Sequence, residues 1–510
     1  MGENLYMSTT SATAAPAQGK FASFISKFTV LRGAPRELWI IYLTKVLEIV
    51  AYGMMSSTVV LWLSSDLGYN DSNAGYMIAI WSTVLSFITI LVGSLTDAIG
   101  IRKAFLLGFG VCVVSRAVMA FTTVKWIVIP FGLILLAVGL ALMVPVMTAA
   151  LKRYSNTAQR SMAFSMFYVL MNVGFAISGW AFDFVRNQLG EYGTYSVPLI
   201  GMQLSTYRVL FLLSFLFTIP GFLITYYSLR GGVEATDEGI QITPDKPKYP
   251  NHGTIEALWL MTKDTWKETV RIFVSVWKQP AFHRFLIFLA LVVGVKLVFY
   301  HMHYTFPKYG IRELGEGAPI GRLFGFLNPV LIVLLVPFVG ALTQKISAYR
   351  MVMVGTFVSG ISVFLIAMPP QWFTFLADGP LGSFIAHTWL GVQGPVNPLY
   401  VTITLFVFFF SIGEAIWSPR LYEYTAAIAP KGQEASYMAL SILPYFVAKF
   451  VVGMLSGVLL QKYCPAEGAR DSGTMWLIIA LMAMISPAGI FLLRKFIQVK
   501  EAGREDAASA

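Results

Sequence analysis

The stretch LWIIYLTKVLEIVAYGMMSSTVVLWLS, residues 38–64, is long and apolar enough to cross a bilayer as a helix, yet it carries Lys45 and Glu48 inside it. A charge within hydrocarbon is costly unless it is paired or faces a cavity, so these two residues need a reason. On a helix Lys45, Glu48 and Tyr52 stand at i, i+3 and i+7 and share one face, while Leu43, Val46 and Val50 line the other. Two readings follow. Lys45 and Glu48 neutralise each other inside a packed bundle, or their face is a solute or proton site.

The rest of the chain has the same character. Its 510 residues are 56% hydrophobic and 12% charged, too apolar for an ordinary soluble globule. The apolar runs are long rather than short and alternating, which predicts helices in place of barrel strands, so the fold class is all-α and polytopic. A net charge of +11 could suggest nucleic acid, but the basic residues gather in loops on one side, as membrane topology requires. No nucleic-acid partner is predicted; the bilayer is. The two cysteines, Cys112 and Cys464, support neither a disulfide framework nor a metal site, and no cofactor motif is present.

Twelve spans are predicted: 38–64, 74–95, 104–122, 126–151, 161–185 and 207–229, then 283–306, 322–344, 350–368, 399–428, 435–461 and 474–494. The domain reading is a disordered tail over 1–37, a six-helix bundle over 38–229, a linker over 230–282, a second six-helix bundle over 283–496 and a C-terminal tail over 497–510. Within the linker, a polar stretch around Thr243–Pro250 leads into Ile255, Leu258, Met261, Trp266, Val270, Ile272 and Val276 with charges interleaved, the pattern of an amphipathic surface helix. Arg102, Lys103, Lys152, Arg153, Lys345, Arg350, Lys431, Arg494 and Lys495 place both termini in the cytoplasm, in an inner membrane of bacterial type. Lys308, Arg312 and Arg322 lie on the other side, against the trend. The halves echo one another, Gly93, Leu95, Thr96 and Asp97 matching Gly340, Leu342, Thr343 and Gln344, which suggests two bundles that rock.

The loop after the second span reads Gly93-x-Leu95-x-Asp97-x-x-Gly100-x-Arg102-Lys103 and resembles the signature loop of the major facilitator superfamily. Its small residues permit close helix approach, and its acid and bases can latch one conformation, so Gly93, Asp97, Gly100 and Arg102 are gating candidates. Further pieces resemble the proton-dependent oligopeptide transporters: Tyr52-Gly53-Met54, Phe164 to Tyr168 followed by Asn172 and Gly174, Leu327-Asn328-Pro329, Gly413-Glu414 with Ser418-Pro419, and Ala429-Pro430-Lys431. The resemblance implies a twelve-helix transporter in which Asn172 and Asn328 touch the substrate backbone and Glu414 meets a peptide amino terminus. This chain departs from the pattern at two places. Thr44, Leu47, Glu48 and Ile49 stand where the family has Glu-x-x-Glu-Arg-Phe, and Val144 precedes Pro145 where it has lysine.

Spacing adds two stripes, Lys296, Tyr300 and His303 on the seventh span and Ser441, Tyr445 and Lys449 on the eleventh, either of which could line a cavity. For Lys449, snorkelling or pairing with a carboxylate is the competing reading. The substrate-binding candidates are therefore Tyr52, Asn172, Lys296, Tyr300, Asn328, Glu414 and Lys449, and the proton-coupling candidates Lys45, Glu48 and Glu414. Arg116, Asp183, Arg186 and Arg208 read as structural or interfacial. The expectation is a secondary transporter of a small peptide-like or zwitterionic solute, with protons as a candidate driving ion; the alternative is a major-facilitator transporter or exporter of a different small organic solute. No enzyme motif is present, neither His-Glu-x-x-His nor Gly-x-Ser-x-Gly.

Overall fold

The computed structural model describes residues 30–92, 99–198, 201–243, 277–343, 346–428 and 443–498, with single positions between 256 and 276. Among them, twelve long helices carry the fold: α1 Arg36–Ser65, α2 Asp71–Val92, α3 Ile101–Phe121, α4 Lys125–Arg153, α5 Thr157–Leu189, α6 Thr206–Ser228, α7 Pro280–Tyr304, α8 Gly321–Gly340, α9 Ala348–Ala367, α10 Pro398–Ile428, α11 Leu443–Tyr463 and α12 Ser472–Leu492. Eleven are apolar enough by length and composition to cross a membrane, and α2 is the twelfth in the order predicted.

Local chemistry sets where the helices begin. Asn156 and Gln159 form a reciprocal capping box at the start of α5, and Ser205, Ser347 and Asp471 cap α6, α9 and α12. Helices α1–α6 form one bundle and α7–α12 the other. Within the first, α1 packs on α5 and α6, and α3 on α4 and α6; within the second, α9 packs on α10 and α12, and α7 on α11 and α12. The bundles meet where α2 crosses α11 and where α5 crosses α8, with α1 also touching α7.

Both main crossings depend on glycine. A Cβ on Gly75 would stand 2.6 Å from the Gly453 carbonyl oxygen, and one on Gly179 would stand 2.5 Å from the Gly325 carbonyl carbon. The backbones therefore touch directly, as small-residue packing permits in a membrane. Gly321–Phe326, at the head of α8, is a π-helical segment, and its wider turn lies against α5.

Order extends into segments read as tail or linker. Val30–Gly33 forms a 3₁₀ turn that buries Leu31, and Gln159 Nε2 donates to the Val30 carbonyl. Arg230 pairs with the buried Glu37 at 2.6 Å, and residues 233–242 fold into a hairpin, Val233–Thr236 against Gly239–Ile242. A second hairpin pairs Thr194–Ser196 with Gln203–Ser205. Burial of Leu31 and Val233 in the core beside α3 and α4 is what orders these segments. Residues 244–250, Ser441 and Ala429–Lys431 lie outside the described residues, as do most of the two tails.

Candidate functional site

Helix α1 places Lys45 and Glu48 one turn apart, and the side chains meet as an ion pair at 3.2 Å, 7% and 5% exposed. The Lys45 ammonium also lies over the Phe167 ring of α5 at 5.1 Å. One turn on, Tyr52 packs edge-on against Phe175, while Gly53 and Gly174 let α1 approach α5 closely. Asn172 turns back on its own helix, its amide donating to the Tyr168 carbonyl at 2.9 Å. In this conformation it is therefore engaged with its own helix's backbone.

The second bundle carries a larger polar group. The Asn328 amide donates to Glu414 Oε2 at 3.0 Å and to Ser411 Oγ at 2.9 Å, joining α8 to α10 across 86 residues of chain. Beside it, the Lys296 ammonium sits against three rings, Trp417 at 4.7 Å, Phe299 at 5.4 Å and Tyr445 at 5.6 Å. Trp417 is held in place by a hydrogen bond from its indole N–H to Ser359 Oγ at 3.3 Å. Lys449 lies over Tyr300 at 5.6 Å. The stripes on α7 and α11 thus interlock, Lys296 reaching Tyr445 and Tyr300 receiving Lys449. His303 is taken up by packing, its ring against Phe299 and Phe324 and its Nδ1 on the Phe299 carbonyl.

One end of the molecule is tied across the bundles by ions. Asp71, at the head of α2, accepts from Lys308 Nζ at 2.8 Å and from both Nη atoms of Arg312 at 2.9 Å; Lys308 and Arg312 belong to the short helix Phe306–Leu314 after α7. Lys308 also reaches Ser64 at the end of α1, and Arg312 the Cys464 carbonyl at the end of α11. Burial pushes the Lys308 amine below its ordinary range, and the Asp71 charge opposes this.

The neighbouring cluster is deeper. Asp183 of α5 accepts from the Gly321 and Arg322 backbone N–H groups at 2.8 and 2.6 Å, so a carboxylate caps the positive end of α8. Arg186, fully buried, bonds Asp183 at 3.2 Å, Glu191 through two nitrogens, and the Ala318 carbonyl at 2.9 Å. Burial raises the Glu191 carboxyl, but the Arg186 bonds and charge, the Tyr207 hydroxyl and the Gly317 N–H outweigh it and hold the group below the usual carboxylate range. The described cross-bundle ion pairs, Asp71 with Lys308 and Arg312 and Asp183 with Arg322, all lie at this end.

Of the residues named from sequence, the structure brings together Lys45 with Glu48, Asn328 with Glu414, and Lys296 and Tyr300 with the α11 stripe that carries Lys449. Gly93 and Asp97 lie outside the described residues. Gly100 precedes α3 with φ of 80°, and Arg102 donates to the Tyr226 carbonyl at 2.7 Å, joining α3 to α6 within one bundle. Sequence reading did not foresee the roles of Asp71, Glu191, Ser411 and Phe167. The signal for the ionic end was nevertheless present: Lys308, Arg312 and Arg322 stood against the charge bias because each faces a carboxylate from the other bundle.

Comparison with known proteins agrees with this architecture. The family model described as Major Facilitator Superfamily matches residues 41–392. The dipeptide and tripeptide permease A of Cronobacter turicensis is 22% identical over 180 residues, 35% of this chain and 36% of the permease, so the chain aligns to about a third of that relative's length. Among solved structures, a POT family transporter in complex with 5-aminolevulinic acid superposes with a TM-score of 0.65 at 16% identity, covering 91% of this chain and 97% of that one. Another, in complex with a thioalcohol-conjugated peptide, has the same TM-score and identity over 92% and 100%. With its twelve helices in two bundles and a family match that spans the first bundle and α7–α9 of the second, the chain belongs to the Major Facilitator Superfamily.

Proposed function

We propose that this protein is a secondary transporter that carries a small peptide-like or zwitterionic solute by alternating access, and that its work is vectorial rather than catalytic. The observation that carries this reading is the combination of buried polar groups in each bundle with an ionic seal between the bundles at one end. Lys45–Glu48 in the first bundle and Asn328, Glu414, Lys296 and Lys449 in the second provide groups for a solute with both amine and carboxylate. The Asp71 and Asp183 clusters close one side while such a solute is held.

The sealed end faces outward in this reading. Lys308, Arg312 and Arg322 are neutralised there by Asp71 and Asp183, so the bias set by Arg102, Lys103, Lys152, Arg153 and Arg350 at the opposite end decides the orientation and puts both termini in the cytoplasm. Glu48, buried beside Lys45, is the candidate proton-responsive group, and Glu414 pairs with the solute amine. The permease relative and the POT neighbours support the substrate class.

Uptake of radiolabelled di-alanine, alanine, glucose and uridine into liposomes containing the purified protein, with and without an inward proton gradient, tests the reading. Accumulation of the peptide above its equilibrium level under the gradient supports it; accumulation of the sugar or nucleoside alone would replace the substrate class. The departures at Glu48 and Val144, where the related family carries cations, favour the second reading of a different organic solute.

A further inference from the structure

In the second bundle two ammonium groups stand close together with no carboxylate at ion-pair distance among the described residues. Among the described residues, Lys45 is neutralised by Glu48, and the buried Arg116, which donates to the Thr218 hydroxyl, belongs to the first bundle and lies away from this seam. That leaves Glu414 facing two ammonium groups, Lys296 and Lys449. Neither lysine has a hydrogen bond or ion pair among the described residues, and both remain partly exposed while their stems are packed among α7, α10 and α11. Lys296 and Tyr300 stand four residues apart on α7, as do Tyr445 and Lys449 on α11. Each ammonium crosses to the ring on the facing helix, so the two lie on one seam about one turn apart.

Rings can steady an ammonium, but they do not cancel its charge or satisfy its three donors. An ammonium kept at this depth without an anion is costly, and two beside one another repel, so the arrangement is complete only when an anion enters. A carboxylate has acceptor positions enough for both. Glu414 does not fill the role: its Oε2 is engaged by Asn328, and it lies beyond ion-pair distance of Lys296.

We propose that Lys296 and Lys449 form an anion site and that the transported solute carries one more carboxylate than amine, for example an acidic dipeptide. The solute's acidic group bridges the two ammonium groups on the α7–α11 seam, and its amine turns to Glu414. This rests on the transporter reading above and assigns its substrate a net charge. It also places carboxylate recognition in the second bundle, away from Glu48 and Val144 in the first.

The test is ligand-induced stabilisation and competed uptake with four probes, alanyl-aspartate, alanyl-alanine, alanyl-lysine and N-acetyl-alanyl-alanine, on the wild type, K296Q, K449Q and K296R. The wild type should bind alanyl-aspartate at least about ten-fold more tightly than alanyl-lysine, with alanyl-alanine between them, a difference of about 1.4 kcal/mol per ten-fold. K296Q and K449Q should each erase most of that preference, and K296R should retain part of it. The wild-type ranking decides the matter even if a variant fails to fold. Equal or tighter binding of alanyl-lysine, or a preference that survives both glutamine variants, overturns the anion site while leaving peptide transport standing. If no probe binds or accumulates, both the site and the transporter reading fall.

Discussion

Replacing Asp71 by Asn should unlock the ionic end without removing its shape. Asp71 accepts three charge-assisted contacts, from Lys308 at 2.8 Å and from Arg312 twice at 2.9 Å, and its side chain is 10% exposed. Hydrogen bonds to charged partners contribute about 1.5–3 kcal/mol each, but asparagine keeps one acceptor and the guanidinium regains some water, so a net loss of about 2–3 kcal/mol is expected. Because only the sealed arrangement contains these contacts, the loss falls on that state and shifts the sealed-to-open ratio by about 30- to 150-fold. Spin labels at Asn70 and Glu316, exposed loop positions on opposite bundles at this end, report the separation directly. The unsubstituted protein should give a short, narrow distance distribution, and D71N a second, longer population of comparable weight. A D71N distribution that overlays the parent, with unchanged uptake, would refute the cluster as a seal.

Other consequences are as direct. A leucine at Gly179 cannot pass the Gly325 backbone, so G179L should hold α5 away from α8 and abolish the sealed state, detected as free access of an impermeant thiol reagent to a cysteine introduced at the buried Ala318. The folded Glu191 carboxyl lies below its unfolded range, so its stabilisation is full above the unfolded value and is lost only as pH falls through the folded one. Thermal stability should therefore be flat in this respect from about pH 5 to 8 and fall below about pH 4, and E191Q should flatten that acid limb. Glu48→Gln should stop accumulation driven by a pH gradient yet permit counterflow exchange; accumulation at the normal rate would remove Glu48 from proton coupling. Single cysteines at Glu234 and Lys495 should resist an impermeant reagent added outside intact cells, and efficient labelling of either would reverse the orientation.

What the sequence determined by itself was whatever depends on short range. Hydrocarbon thickness converts long apolar runs into spanning helices, and the helical period puts Lys45 beside Glu48, so twelve spans and one ion pair were readable from spacing alone. The period also put Lys296 with Tyr300 and Tyr445 with Lys449, but it could not say that the two stripes interlock, because a helix's own pattern does not set its rotation against another helix. Asn328 with Glu414 lies 86 residues apart in sequence and Lys308 with Asp71 lies 237 apart, and neither pairing has a local signature. Glycines bring the backbones into touch, Gly75 with Gly453 and Gly179 with Gly325 between the bundles and Gly355 with Gly413 within the second, which fixes the helices' depth and register. Tertiary structure therefore decided which charges on different helices met, and among the described residues it gives Lys296 and Lys449 no ion-pair partner.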